Sequence, residues 1–374
     1  MRVQLARALV RAGEKERALA TLDLARLPAE FFREARPLSD ELWSERLSRL
    51  ERVSVIPAGH GPAPAEGALA ITGDGLVGWR DDPLRGGSFF VAELATGKVL
   101  AHAGGSARAA AVLAARDAIF VDWSTPNGHF VSRIARDGTK EVNLRALRVT
   151  DVDPAGTRLL VRNGGKNEIL AWPTLDRVAD MGGEWIVMDW ENRIGLAPVP
   201  DGILVVHEDG EEETLDAPHG GRSFFHLLAP GVYAWTGPSL VLQAWPRMTP
   251  IQLLGEGRDE LPPPSIASDR RVARILLGGK PRRFEVDLEA GEVVSAPPGA
   301  QKLARSNAET GHWHPHADAV WRYKKDRHTE LVTPEEKLLV LPLGVWPLAW
   351  TPDGLGLVCV SHESESERRL ELWR

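Results

Sequence analysis

The sequence predicts a mainly β fold: an eight-bladed β-propeller of four-stranded antiparallel blades, preceded by a short α-helical appendage. Three observations carry this. A unit of about 39 residues, apolar strand, turn and apolar strand, recurs from Ala68 to the C-terminus, which is the period of a propeller blade. Phe90-Val-Ala-Glu-Leu-Ala-Thr-Gly-Lys-Val-Leu100 returns about five periods later as Phe284-Glu-Val-Asp-Leu-Glu-Ala-Gly-Glu-Val-Val294, and Asp153-Pro-Ala-Gly156 returns as Thr351-Pro-Asp-Gly354. The last unit holds only three strands, an unpaired edge that proteins avoid, and a β-branched run upstream can supply the fourth.

The elements follow in order. Residues 3–28 read as two helices around a turn closed by Gly13. Leu5, Ala6, Leu9, Gly13, Ala18, Leu22 and Ala25 fall at the signature spacing of a tetratricopeptide repeat, which this hairpin resembles, with Leu9 and Leu22 in place of the aromatics. A third helix is expected from Ser39 as N-cap, with Asp40 and Glu41 in its first turn and Leu42, Trp43, Leu47 and Leu50 as its apolar stripe. Phe31 and Phe32 then fall between helices. One such repeat cannot bury its apolar face alone. Its two outlets are the flank of its own propeller and a helical-repeat stack of another chain.

Arg52-Val-Ser-Val-Ile-Pro57 is the expected closing strand, pairing with Arg369–Trp373. The division is therefore 1–52, helical, and 53–374, propeller. Unit one spans Ala68 to Ala103 and turns at Ala95-Thr96-Gly97. Unit two begins near Ala109 and turns at Asp137-Gly138. Unit three begins near Leu147, with Glu168–Trp172 as its third strand. Unit four begins at Trp185 and turns at Asp209-Gly210. Unit five begins at Ser223, with Leu240–Trp245 as its third strand. Units six, seven and eight begin near Pro264, Asn307 and Val345. Seven blades stay open as a count if unit four or six is irregular.

The chain resembles the WD-repeat-like and TolB-like propellers over about four fifths of its length. The resemblance rests on Asp153–Gly156 and Trp350–Gly354 at the turn from strand a to strand b, and on Trp172, Trp245 and Trp373 ending strands c. It departs from the strict pattern, since Trp172 and Trp245 are followed by Pro and Trp373 by Arg374. It implies protein-binding habits in general terms only.

Composition narrows the function. The net charge of −7 argues against non-specific nucleic-acid binding. The single Cys359 cannot form an internal disulfide and sits in an apolar run. Residues 1–25 lack a signal-peptide core, and no run approaches the roughly 20 apolar residues of a membrane span. The expectation is a soluble cytoplasmic protein without cofactor.

Three groups of residues bear on chemistry. His312-Trp-His-Pro-His316, followed by Asp318, offers three imidazoles at alternating positions, a metal-ligand pattern. Aligned on Pro315 and Pro352, however, His314 matches Thr351 and His316 matches Asp353, which makes the stretch a copy of the a–b turn. The inner strands offer Thr150, Asp151, Asp189 and His226 without a repeated carboxylate register, so no catalytic set is expected; Asp189 and His226 lie in neighbouring blades and could meet. No phosphate loop, nucleophile elbow or zinc-protease helix occurs. Finally, Lys280, Arg282 and Arg283, and Lys324, Lys325, Arg327 and His328, fall in the expected b–c turns of units six and seven. Together they would form a basic patch facing Glu363, Glu365 and Glu367 of unit eight. The resulting reading is a non-enzymatic interaction scaffold or complex subunit. It binds a protein with an acidic or helical-repeat surface through those cations, or through Leu9, Leu22 and Trp43. The alternative is a propeller hydrolase or lyase working at the channel mouth.

Overall fold

The computed structural model describes residues 2–24, 27–57, 69–80, 89–103, 108–125, 128–143, 148–182, 186–200, 202–217, 224–237, 239–255, 263–277, 280–298, 308–309, 311–323, 328–362 and 368–374. Eight antiparallel sheets follow one another along the chain, each contributing four strands to the a-to-d path of a blade, so the fold is an eight-bladed β-propeller. The seven-blade count falls because unit four (Val187–Asp189, Ile194–Val199, Gly202–His207, Glu212–Asp216) and unit six (Ser265–Ile266, Val272–Leu277, Lys280–Asp287, Glu292–Ser295) are both complete.

Two compact units divide the chain, Arg52–Gly221 with Gly344–Arg374, and Met1–Glu51 with Arg222–Leu343. The first contains blades one to four and eight. Blade eight consists of Val345–Trp350, Leu357–His362 and Arg368–Trp373, and Arg52–Pro57 completes it by pairing antiparallel with Arg368–Trp373. The expected closing strand is present. Ile56, on that strand, is buried with Leu370 and Leu372 against Val77, Trp79 and Phe90 of blade one. Gly97, at φ +70°, turns unit one at the expected place, and a Cβ on it would stand 2.9 Å from the Val55 carbonyl of the closing strand. Successive blades pack through the faces of their central strands: Val91 and Val121, then Phe120 and Val161, then Ile169 and Val206. At Gly78 the approach is so close that a Cβ would lie 2.6 Å from Val112 Cγ1.

The second unit holds blades five to seven and the helices α1 (Arg2–Arg11), α2 (Lys15–Thr21) and α3 (Ala29–Leu47). Val232, Leu242, Ile275 and Phe284 form the core between blades five and six, and Leu276, Val320 and Val332 that between six and seven. Blade seven begins at His312–Trp313; the short strand Ala308–Glu309, near the expected start, pairs with Val272–Leu277 of blade six instead.

The hairpin is present and Gly13, at φ +81°, closes α1. The third helix corrects the expectation. It starts ten residues before Ser39, so that Ser39 is an interior, buried residue and Phe31 and Phe32 sit in the first turns. Pro37 lies inside it, although Pro removes a backbone donor and normally breaks a helix. Tertiary contacts outweigh that cost, because Ala35, Arg36, Ser39, Leu42, Trp43 and Leu47 are all buried at helical spacing along one face.

Candidate functional site

The turn between strands a and b sets the local chemistry. Its first residue has an N–H that bonds five residues ahead in blades three, six, seven and eight, from Asp153, Ala267, His314 and Thr351 to Arg158, Val272, Ala319 and Gly356. Where that residue has an acceptor side chain, the turn is capped. Asp153 Oδ1 accepts from the N–H groups of Thr157 and Arg158, Thr351 Oγ1 accepts from Gly356, and Thr72 Oγ1 accepts from Leu76 in blade one. His314 does the same with an imidazole, its Nδ1 accepting from His316 at 3.1 Å and Ala317 at 2.8 Å.

The His312–His316 stretch is therefore the end of strand a, His312–Trp313, running into the a–b turn at His314, as the alignment on Pro315 implies. His314 is fully buried with its Nδ1 lone pair occupied, and His316 Nδ1 meets Ser268 Oγ at 2.8 Å. Among the described residues no grouping of three His, Cys, Asp or Glu suits a metal ion. Two of the three prolines at these turns, Pro154 and Pro315, accept equivalent bonds from the preceding blade, from Arg116 N–H at 2.8 Å and Ser268 N–H at 3.1 Å.

Onto the turns of blades six and seven α3 is docked. Arg36 is 4% exposed and gathers three carboxylates. Its Nη1 lies 2.8 Å from Asp269, its Nη2 lies 2.7 Å from Asp318, and its Nε lies 3.0 Å from Asp40. Asp318 also receives Arg283 at 3.2 Å. Two turns beyond Arg36 along α3, the Trp43 ring stacks on His316 with centroids 5.7 Å apart and meets His314 at 4.5 Å. Beneath them the buried Arg274 donates to the carbonyls of His314 and Ala317 at 2.8 and 2.6 Å and faces the Trp313 ring. Arg271 donates to Leu27 O and covers Phe32.

These charges shape one another. Burial pushes the Asp40 carboxyl up, to about 6, against the pull of Arg36 and with a further push from Asp318. Asp318 is buried too, yet Arg36, Arg274 and Arg283 together hold it below its ordinary value. Burial lowers Arg274 to about 10.

The expected partner-binding residues divide. Leu9, Leu22 and Trp43 are buried; the hairpin packs on α3, and α3 in turn docks on blades six and seven. Leu5 is 51% exposed and points away from that packing. Lys280, Arg282 and Arg283 lie at the start of strand c of blade six rather than in the b–c turn, because strand c begins at Lys280. Arg283 is committed to Asp318, Glu285 at 3.1 Å and Asp40 at 3.8 Å, so it adds no free charge to a patch. Lys324, Lys325 and Arg327, and the opposing Glu363, Glu365 and Glu367, lie outside the described residues.

The inner-strand polar groups are satisfied close to home. Thr150 Oγ1 donates to Leu160 O, Asp151 accepts from Trp190 Nε1 and Val152 N–H, and Asp189 caps its own turn through Asn192. His226 Nε2 meets Thr236 Oγ1 at 3.0 Å, and burial lowers its pKa. Asp189 and His226 belong to different compact units.

Two concavities lie in this unit, and the larger borders the docked helix. The larger, about 850 Å³, is walled by Phe32 and Arg33 of α3 and floored by Trp245 and Arg247 of blade five and Arg271 and Leu288 of blade six. The smaller, about 250 Å³, lies where blades six and seven meet, around Arg282. The sequence carries no direct signal for either, since each joins segments far apart in the chain. No known protein family and no curated protein matches the chain.

Proposed function

We propose that this chain is a non-enzymatic interaction protein, a scaffold or subunit of a larger assembly, that binds a protein partner along the helix-bearing face of blades five to seven. The observation that carries the reading is the 850 Å³ groove formed jointly by α3 and the turns of blades five and six. Its size suits a peptide-sized ligand, and recognition surfaces concentrate on loops held by a rigid scaffold. Its chemistry is mixed in the manner of an interface, with aromatic surface from Phe32 and Trp245 beside arginines. Asp269 and Glu285 in its wall are already neutralised by Arg36 and Arg283. Among the described residues Arg247 and Arg271 have only the carbonyls of Glu289 and Leu27 as hydrogen-bond acceptors, and with Arg33 they outnumber the remaining acids of the lining, Asp287 and Glu289, which favours an acidic partner. The resemblance to WD-repeat-like propellers and to a tetratricopeptide hairpin agrees with binding rather than catalysis.

The test is affinity capture from the native extract with the full chain and with an Arg33→Glu/Arg247→Glu variant, both checked for equal melting. A partner held by the first and lost by the second supports the reading. Equal capture by both places the binding face elsewhere, and turnover of a small substrate by the purified chain would replace the reading with the enzymatic one.

A further inference from the structure

Arg282 differs from every arginine around it. Arg36 and Arg283 are spent on carboxylates, and Arg271 and Arg274 on backbone carbonyls. Among the described residues the Arg282 side chain makes no hydrogen bond and no ion pair, and its Nε is buried without a partner. The stem is thus pinned while the two terminal nitrogens stay uncommitted. Arg282 lines a pocket of about 250 Å³ walled by Pro281, Pro297, Pro298 and Pro334 together with Ala296.

The wall chemistry selects the ligand. Four of the ten lining residues are prolines, which carry no N–H, and the Glu335 N–H is already given to Thr333, so the pocket is poor in the backbone donors that capture a chain terminus or a phosphate group. Its proline and alanine walls are apolar, which strengthens an ion pair formed against them. A guanidinium fork with two free donors matches one planar carboxylate, bonded side by side. Of the two carboxylates on the lining, Glu285 is held by Arg283, while Glu335 stands on the rim with its own N–H tied to Thr333 in a turn of blade seven. Lys280, exposed two residues earlier on the same face of strand c, adds positive charge at the approach.

We infer that the Arg282 pocket is a carboxylate-binding site that receives an aspartate or glutamate side chain of a partner polypeptide, with an apolar neighbour seated on the prolines. The inference rests on the interaction reading only in taking the ligand to be a protein. Glu335 competes with the incoming carboxylate, so its charge works against binding.

The Arg282 Nε–H resonance of the full chain, identified by its loss in Arg282→Lys, reports the site directly. The probe is a capped peptide carrying one glutamate among leucine and proline, with its glutamine twin as control. The glutamate peptide should shift the resonance saturably and the twin should not. Arg282→Gln should weaken binding about tenfold or more, the scale of a charge-assisted pair. Glu335→Gln should tighten it a few-fold. A silent resonance, an equal response to the twin, or weaker binding in Glu335→Gln would overturn the site, the last because it would show Glu335 assisting the ligand. If the native partner is still captured by Arg282→Gln as by the unaltered chain, the site falls and the interaction reading stands. If nothing is captured by either, the interaction reading falls by itself, while the peptide titration still decides the site.

Discussion

Replacing Arg36 by alanine should release α3 from blades six and seven. The guanidinium sits between Asp269, whose side chain is 2% exposed, and Asp318, at 9%. Without it, two buried carboxylates lose their main counter-charge. Removing one partner of a buried ion pair costs about 3–5 kcal/mol, because the remaining charge is left uncompensated. The two aspartates do not suffer equally. Among the described residues Asp318 keeps Arg283 at 3.2 Å, whereas Asp269 keeps only the Arg271 N–H at 2.9 Å. The greater part of the loss therefore falls on Asp269, and Arg36→Ala/Asp269→Asn should recover a good share of it. Native-state hydrogen exchange on the full chain is the assay, since it reads local opening separately from global unfolding. A loss of about 3 kcal/mol lowers protection roughly a hundredfold in α3 and in the turns at 268–271 and 316–318. Strands of the unit Arg52–Gly221 should keep their protection. Unchanged exchange in α3 of Arg36→Ala would refute the claim that this cluster holds the helix.

Three further outcomes follow from the same packing. Ile56→Asp places a charge among Val77, Trp79 and Leu370, where Ile56 is 1% exposed, and should lower stability by at least ~3 kcal/mol in denaturant titration; a melt equal to that of Val53→Asp, at an exposed position of the same strand, would remove the case for a closing strand. Helix docking should depend on pH with two signs. Asp40 is raised from 3.8 to about 6, so its contribution is complete below about 4 and fades as pH rises through 6; Asp318 is lowered, so its contribution is lost as pH falls below its ordinary range. Protection of α3 should therefore peak between about pH 4 and 6, and Asp40→Asn should flatten the alkaline side of that peak; an unaltered profile would count against it. Chelator treatment should leave the melting of the purified chain unchanged, because His314 Nδ1 is occupied by two backbone donors; a one-to-one metal content lost in His314→Ala would contradict this.

The blades were legible because each repeats one local solution. A strand's alternation, a Gly at a left-handed turn such as Gly97, and a capping residue after strand a all act within a few residues of chain. That is why aligning His314 with Thr351 could identify a turn inside a histidine cluster. The start of α3 was not legible, since Pro37 and Ser39 read locally as a boundary, and what carries the helix through them is burial against distant turns. The same holds for the Arg36 cluster. Asp269 and Asp318 look like ordinary turn residues until a helix some 233 and 282 positions away brings an arginine to both. The basic run at 280–283 was visible as charge, but which arginine is free depends on Asp318 and Glu285, and only the folded chain separates Arg282 from Arg283.

We propose the helix-bearing face of blades five to seven as the place where a protein partner binds. Cross-linking mass spectrometry on the captured complex tests it most directly. Cross-links from the partner should concentrate near Phe31–Arg33, Trp245–Arg247 and Lys280–Arg282, and should thin out when Arg33 and Arg247 are reversed in charge. Cross-links confined to the blades of Arg52–Gly221 would contradict the account.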